Sequence, residues 1–137
     1  VSYDDIVNWF VTMRDKGFKI KKVGFDKKFG REFFSGMKKA RFSIVDAPQY
    51  FWKKSEGFRR IETKALNGQL YYCHSDAYEY CVGNVRGIEK VDDMIQYEKV
   101  EKNLRIDLFD ASVFAGCQML EDSENAGAIS GWLNGGA

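Results

Sequence analysis

Residues 18–46 most constrain how this chain can fold: they read as strand, helix and strand, with an aspartate at the end of each strand. Phe18, Ile20, Val23 and Phe25 alternate with polar residues, with a shift of phase over Lys21 and Lys22. That pattern predicts a strand over 18–25 that ends at Asp26. Phe29, Phe33 and Met37 then recur at i, i+4 and i+8, which predicts a helix over 29–39 with one aromatic face. Arg41-Phe42-Ser43-Ile44-Val45-Asp46 predicts a second short strand. Two strands joined through a helix within about thirty residues lie parallel with a right-handed crossover. The class is therefore α/β, and Asp26 and Asp46 both fall at the carboxyl ends of parallel strands, where open α/β sheets place their sites. Each is a rival of the other for a functional role.

Further elements flank this unit. Ile6, Val7, Phe10, Val11 and Arg14 follow helical spacing over 4–16, with Ser2 or Asp4 as N-cap and Gly17 as the stop. A helix is predicted over 55–67, ending at Asn67-Gly68. Residues 69–73 read as extended and residues 76–85 as helical, with Tyr80 and Asn84 on one face. Residues 88–99 read as a β-hairpin turning at Asp92-Asp93, a weaker turn signal than Asp-Gly. A final helix is predicted over 107–120. From 122 onward only Ile129, Trp132 and Leu133 are apolar and large, so 122–137 is expected to be a mobile tail behind a single domain over 1–121. No repeat or internal domain boundary is visible.

Composition narrows the function classes. At 137 residues, with 45% hydrophobic and 30% charged residues, the chain suits one soluble domain. No apolar run approaches the ~20 residues of a membrane span. Signal-peptide patterning is absent, and a start at Val1-Ser2-Tyr3-Asp4 is expected of a fragment. Cys73, Cys81 and Cys117 are odd in number and lack Cys-x-x-Cys spacing. Cys73, His74 and Cys81 could suggest zinc, but a structural site needs four ligands and no fourth presents itself, so buried free thiols are expected. No phosphate-binding loop for ATP is present, and the single histidine has no convincing nucleophilic partner.

The net charge of +1 conceals an asymmetry. Residues 19–41 carry nine bases against two acids, and residues 88–124 carry four bases against ten acids. A basic stretch around a strand-terminal carboxylate suits a phosphate backbone, whereas the alternative is a solvated helix and loop face.

The second chemistry-bearing segment is Arg105-Ile106-Asp107, which runs into a helix with Ala111 and Ala115 at i+4 and i+8 from Asp107. Taken locally, Asp107 is a helix N-cap and Asp110 the acid three residues on, as in a capping box. Taken with Asp26, it is a second rigidly held carboxylate. Divalent cations such as Mg²⁺ favour such hard oxygen ligands.

The order and spacing of these pieces resemble the nuclease domain of bacteriophage terminase large subunits. The resemblance covers most of residues 3–118. It runs through the helix Tyr3–Lys16, the strand ending at Asp26, the basic helix after it, and the strand leading to Asp46-Ala47-Pro48-Gln49. It continues through Gly68-Gln69-Leu70-Tyr71-Tyr72-Cys73-His74, then Asn84, Lys99 and the Arg105-Ile106-Asp107 motif.

Such a resemblance implies a partial RNase H-like fold and a Mg²⁺- or Mn²⁺-dependent endonuclease that cuts concatemeric double-stranded DNA during genome packaging. Asp26 and Asp107 would then be catalytic metal ligands that converge in one accessible pocket, with Asp110 as a secondary ligand or a plain cap. Lys27, Lys28, Arg31, Lys99 and Arg105 would be DNA contacts. Implied partners are double-stranded DNA and, in the full-length protein, the terminase small subunit and portal, in the host bacterial cytoplasm. The family's site uses three acids, and the first is expected to lie ahead of Val1. Weak metal binding and little or no cleavage are therefore expected of these residues alone. Without the family's first strands the sheet is expected to keep an open edge and to self-associate through it. Two other readings stand beside this one: a non-catalytic fragment that binds DNA or a partner, and an unrelated α/β protein whose aspartates are caps and turn residues.

Overall fold

The computed structural model describes residues 1–47 and 50–133. The chain forms two compact units, Val1–Gln49 and Tyr50–Ala137, where the sequence suggests no internal boundary.

In the first unit, α1 (Tyr3–Asp15) starts at the Ser2 cap, whose side chain accepts the Asp5 N–H while the Asp5 carboxylate accepts the Ser2 N–H. Gly17, at φ 96°, follows the helix in a conformation that a side chain would strain. The expected β-α-β is present. β1 (Val23–Phe25) and β2 (Ile44–Asp46) pair in parallel, Val23 with Ile44 and Phe25 with Asp46, and α2 (Arg31–Lys39) connects them. Both strands are shorter than expected: residues 18–22 and 41–43 lie outside the ladder, which has three rows. The helix also starts later, because Lys27–Phe29 form a separate 3-10 turn capped by Asp26. Phe33, Met37, Phe42 and Ile44 form the core, with Val7, Phe10 and Val11 of α1 packed on them. Phe33 and Met37 are the aromatic-face positions of the sequence pattern. Arg14 closes the α1 side, donating to the Ala40 carbonyl at 2.7 Å with its guanidinium 4.5 Å from the Phe42 ring centre.

The second unit contains α3 (Phe51–Leu66), α4 (Asp76–Gly83), the antiparallel hairpin β3 (Val85–Glu89) and β4 (Ile95–Lys99), and α5 (Asp107–Leu133). The hairpin turns at Asp92 and Asp93, both with positive φ, as a tight turn matching strand twist requires. Arg59 of α3 braces it, donating to Glu89 Oε2 at 2.9 Å and to the Asp93 carbonyl at 3.2 Å. Residues 69–73 join no strand. The final helix does not stop at 120 but continues to Leu133, through residues expected as tail; residues 134–137 lie outside the described residues. Cys81, Tyr97, Phe109 and Val113 form the core of this unit, and Phe58, Val85, Ile106 and Cys117 pack against it. The three thiols are free as expected, but only Cys81 is buried: Cys117 is half-buried and Cys73 exposed. No helix among the described residues is long and apolar enough to cross a membrane.

Candidate functional site

The first unit brings Asp26 and Asp46 to the same 3-10 turn. Asp26 follows β1 directly, and its Oδ1 accepts the Lys28 N–H at 3.1 Å. Asp46 ends β2, and its Oδ1 accepts the Lys27 N–H at 3.2 Å. Parallel pairing of Phe25 with Asp46 sets these two carboxylates at adjacent strand ends. Each thus helps hold the turn through a single oxygen. Neither second oxygen accepts a hydrogen bond among the described residues, which suits a hard cation that takes carboxylate oxygens. Gly30, just past the turn, is fixed by close approach: a Cβ there would lie 2.6 Å from the Phe25 ring.

Three of the sequence-predicted DNA contacts cluster here as well. Lys27, Lys28 and Arg31 are exposed around the turn and the start of α2. Together with Phe34, Ser35 and Lys38, Lys27 and Arg31 line a groove of about 640 Å³.

The second unit holds the other candidates. Asp107 is exposed in the first turn of α5, and its carboxylate makes no hydrogen bond or ion pair among the described residues. The capping expected of it is not what the structure has: the Asp110 N–H bonds the Ile106 carbonyl instead. Asp110 closes no capping box either. It accepts from the Tyr97 hydroxyl and pairs with the Lys54 ammonium at 2.8 Å. Both contacts fall on Oδ1, so Asp110 has protein partners that Asp107 lacks.

Asn84, the C-cap of α4, clamps the segment between the hairpin and α5. Its side-chain amide donates to the Arg105 carbonyl at 3.0 Å, and its own carbonyl accepts the Val100 N–H at 2.8 Å. Lys99 and Arg105 flank this clamped segment, Lys99 half-buried at the end of β4 and Arg105 exposed. Asn84 is buried, so it works on backbone rather than on a substrate. Asp26 belongs to the first unit and Asp107 to the second.

No protein-family model and no curated protein match the sequence. Among solved structures, the HK97 bacteriophage large terminase matches with a TM-score of 0.72 and 18% identity, over 86% of this chain. The likeness establishes the fold. This chain spans about a quarter of that terminase, 25% of its length. The α/β class with a parallel β-α-β, flanking helices and a hairpin thus holds both in the elements and in the comparison.

Some functional-looking residues were not legible. Lys54 and Tyr97 give no local signal, because they meet Asp110 from distant parts of the chain. Ser35 and Lys38 carried a detectable signal, since they follow Arg31 at i+4 and i+7 on α2. His74 is a surface residue, with Nδ1 2.9 Å from Glu79 and Nε2 3.7 Å from Asp76. The donor atoms of these three exposed residues lie within 4.8 Å of one another. Cys81 is buried in the core and takes no part.

Proposed function

We propose that this chain is the nuclease portion of a phage terminase large subunit, a Mg²⁺- or Mn²⁺-dependent endonuclease acting on concatemeric double-stranded DNA during packaging. What carries the reading is the state of Asp26 and Asp107. Each sits at the end of a regular element with carboxylate oxygen left for a ligand, in a chain whose fold is like that of a large terminase. Bound divalent ions would supply an activated water and stabilise the leaving oxygen. In this chain Asp26 and Asp107 would hold them. Asp110 would contribute indirectly, by fixing the first turn of α5 through Tyr97 and Lys54. Lys99 and Arg105 would face DNA phosphates from the segment clamped by Asn84. In the full-length protein the partners would be the small subunit and portal, in the host bacterial cytoplasm.

The test is calorimetric titration of Mn²⁺ into the wild type, Asp26→Asn and Asp107→Asn. Weak binding is expected for the wild type and at least a tenfold loss for each variant. Unchanged affinity in both variants would sink the metal-site reading and leave a non-catalytic DNA- or partner-binding fragment. An Asp46→Asn variant decides between the two strand-end acids: it is expected to bind Mn²⁺ more nearly like the wild type than Asp26→Asn does.

Self-association belongs to the same reading. Among the described residues β1 and β2 pair only with each other, so each presents an outer edge to which another strand can add. Light scattering is expected to show concentration-dependent association; a strict monomer at high concentration would contradict it.

A further inference from the structure

Charge is compensated very differently in the two units. The first carries eleven Lys and Arg against six Asp and Glu, a net +5; the second carries ten against fourteen, a net −4. In the second unit acids outnumber bases and several cations are paired: Lys53 with Glu121, Lys54 with Asp110, Arg59 with Glu62 and Glu89, and Arg86 with Glu98. In the first unit, Lys27, Arg31 and Lys38 line one groove, and none has a carboxylate at ion-pair distance among the described residues.

The groove is built by α2 and the turn before it. Arg31, Phe34, Ser35 and Lys38 stand at i, i+3, i+4 and i+7, on one face of the helix. Lys27 and Lys38 place their ammonium groups 4.7 and 5.6 Å from the centre of the Phe34 ring. A half-buried ring with two cations over it holds those cations in place at small cost. The ring itself is then not free to stack a base, as recognition of a single strand requires.

We infer that this face of α2 is a phosphate track for duplex DNA, in which Lys27, Arg31 and Lys38 contact the backbone and Ser35 adds a hydroxyl. Uncompensated cations beside a cation-covered aromatic match a polyanion read through its backbone, without base contacts. The inference rests on the nuclease reading for its choice of nucleic acid, and it adds Ser35 and Lys38 to the site. It also links the track to the strand ends, because the Lys27 N–H is held by Asp46 and the Lys28 N–H by Asp26.

The test is fluorescence anisotropy of the full chain with a labelled duplex of random sequence, in EDTA and over a series of NaCl concentrations. Leaving out divalent ions separates the outcome from that of the Mn²⁺ titration. Arg31→Glu/Lys38→Glu is expected to lose more than tenfold in affinity, with Lys90→Glu as a control in the other unit changing it less than threefold. Arg31→Ala and Lys38→Ala should each lower the salt slope by about 0.9, the loss of one phosphate contact. Circular dichroism checks that the variants fold; because both positions face solvent, their melting is expected to be unchanged. The inference is overturned if the double reversal stays within twofold of the wild type. Tighter binding to a single strand of equal length overturns it too, as does binding to anionic phospholipid vesicles without binding to the duplex.

Discussion

Gly57→Ala is expected to destabilise the second unit although alanine is the better helix former. Gly57 lies inside α3 where it crosses α5. A Cβ there would sit 2.5 Å from Cys117 Sγ, 2.8 Å from the Val113 carbonyl oxygen and 3.0 Å from a Val113 methyl. The thiol can swing away, but the carbonyl belongs to the backbone of the facing helix, so relief requires the two helices to part. Overpacking of this kind costs about 1–3 kcal/mol, against a gain of about 1 kcal/mol from replacing a mid-helix glycine. The second unit should therefore lose up to about 2 kcal/mol net, with each kcal/mol worth about 4–8 °C of melting temperature at this size. Gly57→Val adds two further methyl carbons beyond the Cβ and should cost more than twice as much, enough to threaten folding. Cys117→Ala in the Gly57→Ala background should recover part of the loss, because it removes the sulfur contact and leaves the carbonyl. Gly116→Ala is the control. Its Cβ would meet only ordinary contacts of 3.4–3.5 Å, so a neutral or slightly stabilising result is expected. Thermal and urea unfolding of the four variants measure this; a Gly57→Ala protein more stable than the wild type would show that α3 and α5 do not approach this closely.

The same crossing shows what could and could not be read from the sequence. The β-α-β unit was legible because Phe33 and Met37 bury one helix face, and that period needs no knowledge of the partner. The length of its strands was not. Pairing stops where β2 stops, and Lys21 and Lys22 gave only a phase shift to hint at it. The start of α3 was missed because Phe51 and Trp52 are exposed and add nothing to an amphipathic pattern. The second half of α5 has the composition of a tail, since its polar and small residues promise little burial, yet a helix already nucleated by a packed first half extends at low cost. Asp26 and Asp46 were legible as strand-end acids. For Asp107 and Asp110, the local spacing suggested caps. Their actual states depend on Tyr97 and Lys54, residues 13 and 56 positions away from Asp110, and no local window holds that information. Gly57 belongs with them: a glycine inside a helical run signals close approach, but only the facing helix says to what.

Asp110→Ala should cost the second unit about 2–3 kcal/mol, the penalty for leaving a partly buried charge and a hydroxyl without partners. Lys54 and Asp110 are each about a quarter exposed, at 27%, so solvent screens the pair only in part. The Lys54 ammonium also lies 4.8 Å from the Tyr97 ring centre, and Tyr97 stacks on Phe58 and meets Phe109 edge-on. Removing the carboxylate leaves this cation against aromatic faces with no counter-charge, and it strips the Tyr97 hydroxyl of its acceptor. Alkaline pH probes the same network from the other side. Burial, and then the hydrogen bond to Asp110, push the Tyr97 hydroxyl far above its ordinary value of 10.0. In the unfolded chain Tyr97 ionises near that ordinary value, whereas in the folded chain it stays protonated. Its contribution to stability is complete below pH 10. It is lost as pH rises further, by up to about 1.4 kcal/mol per pH unit, because the unfolded state gives up a proton that the native state keeps. Urea unfolding at pH 9 and pH 11 should thus show a steeper alkaline loss for the wild type than for Tyr97→Phe. Lysine titration is common to both proteins and cancels in the difference. Equal losses would mean that Tyr97 ionises as freely in the native state as in the unfolded chain. Its hydroxyl would then not be the buried donor that fixes Asp110 and, with it, the first turn of the helix that carries Asp107.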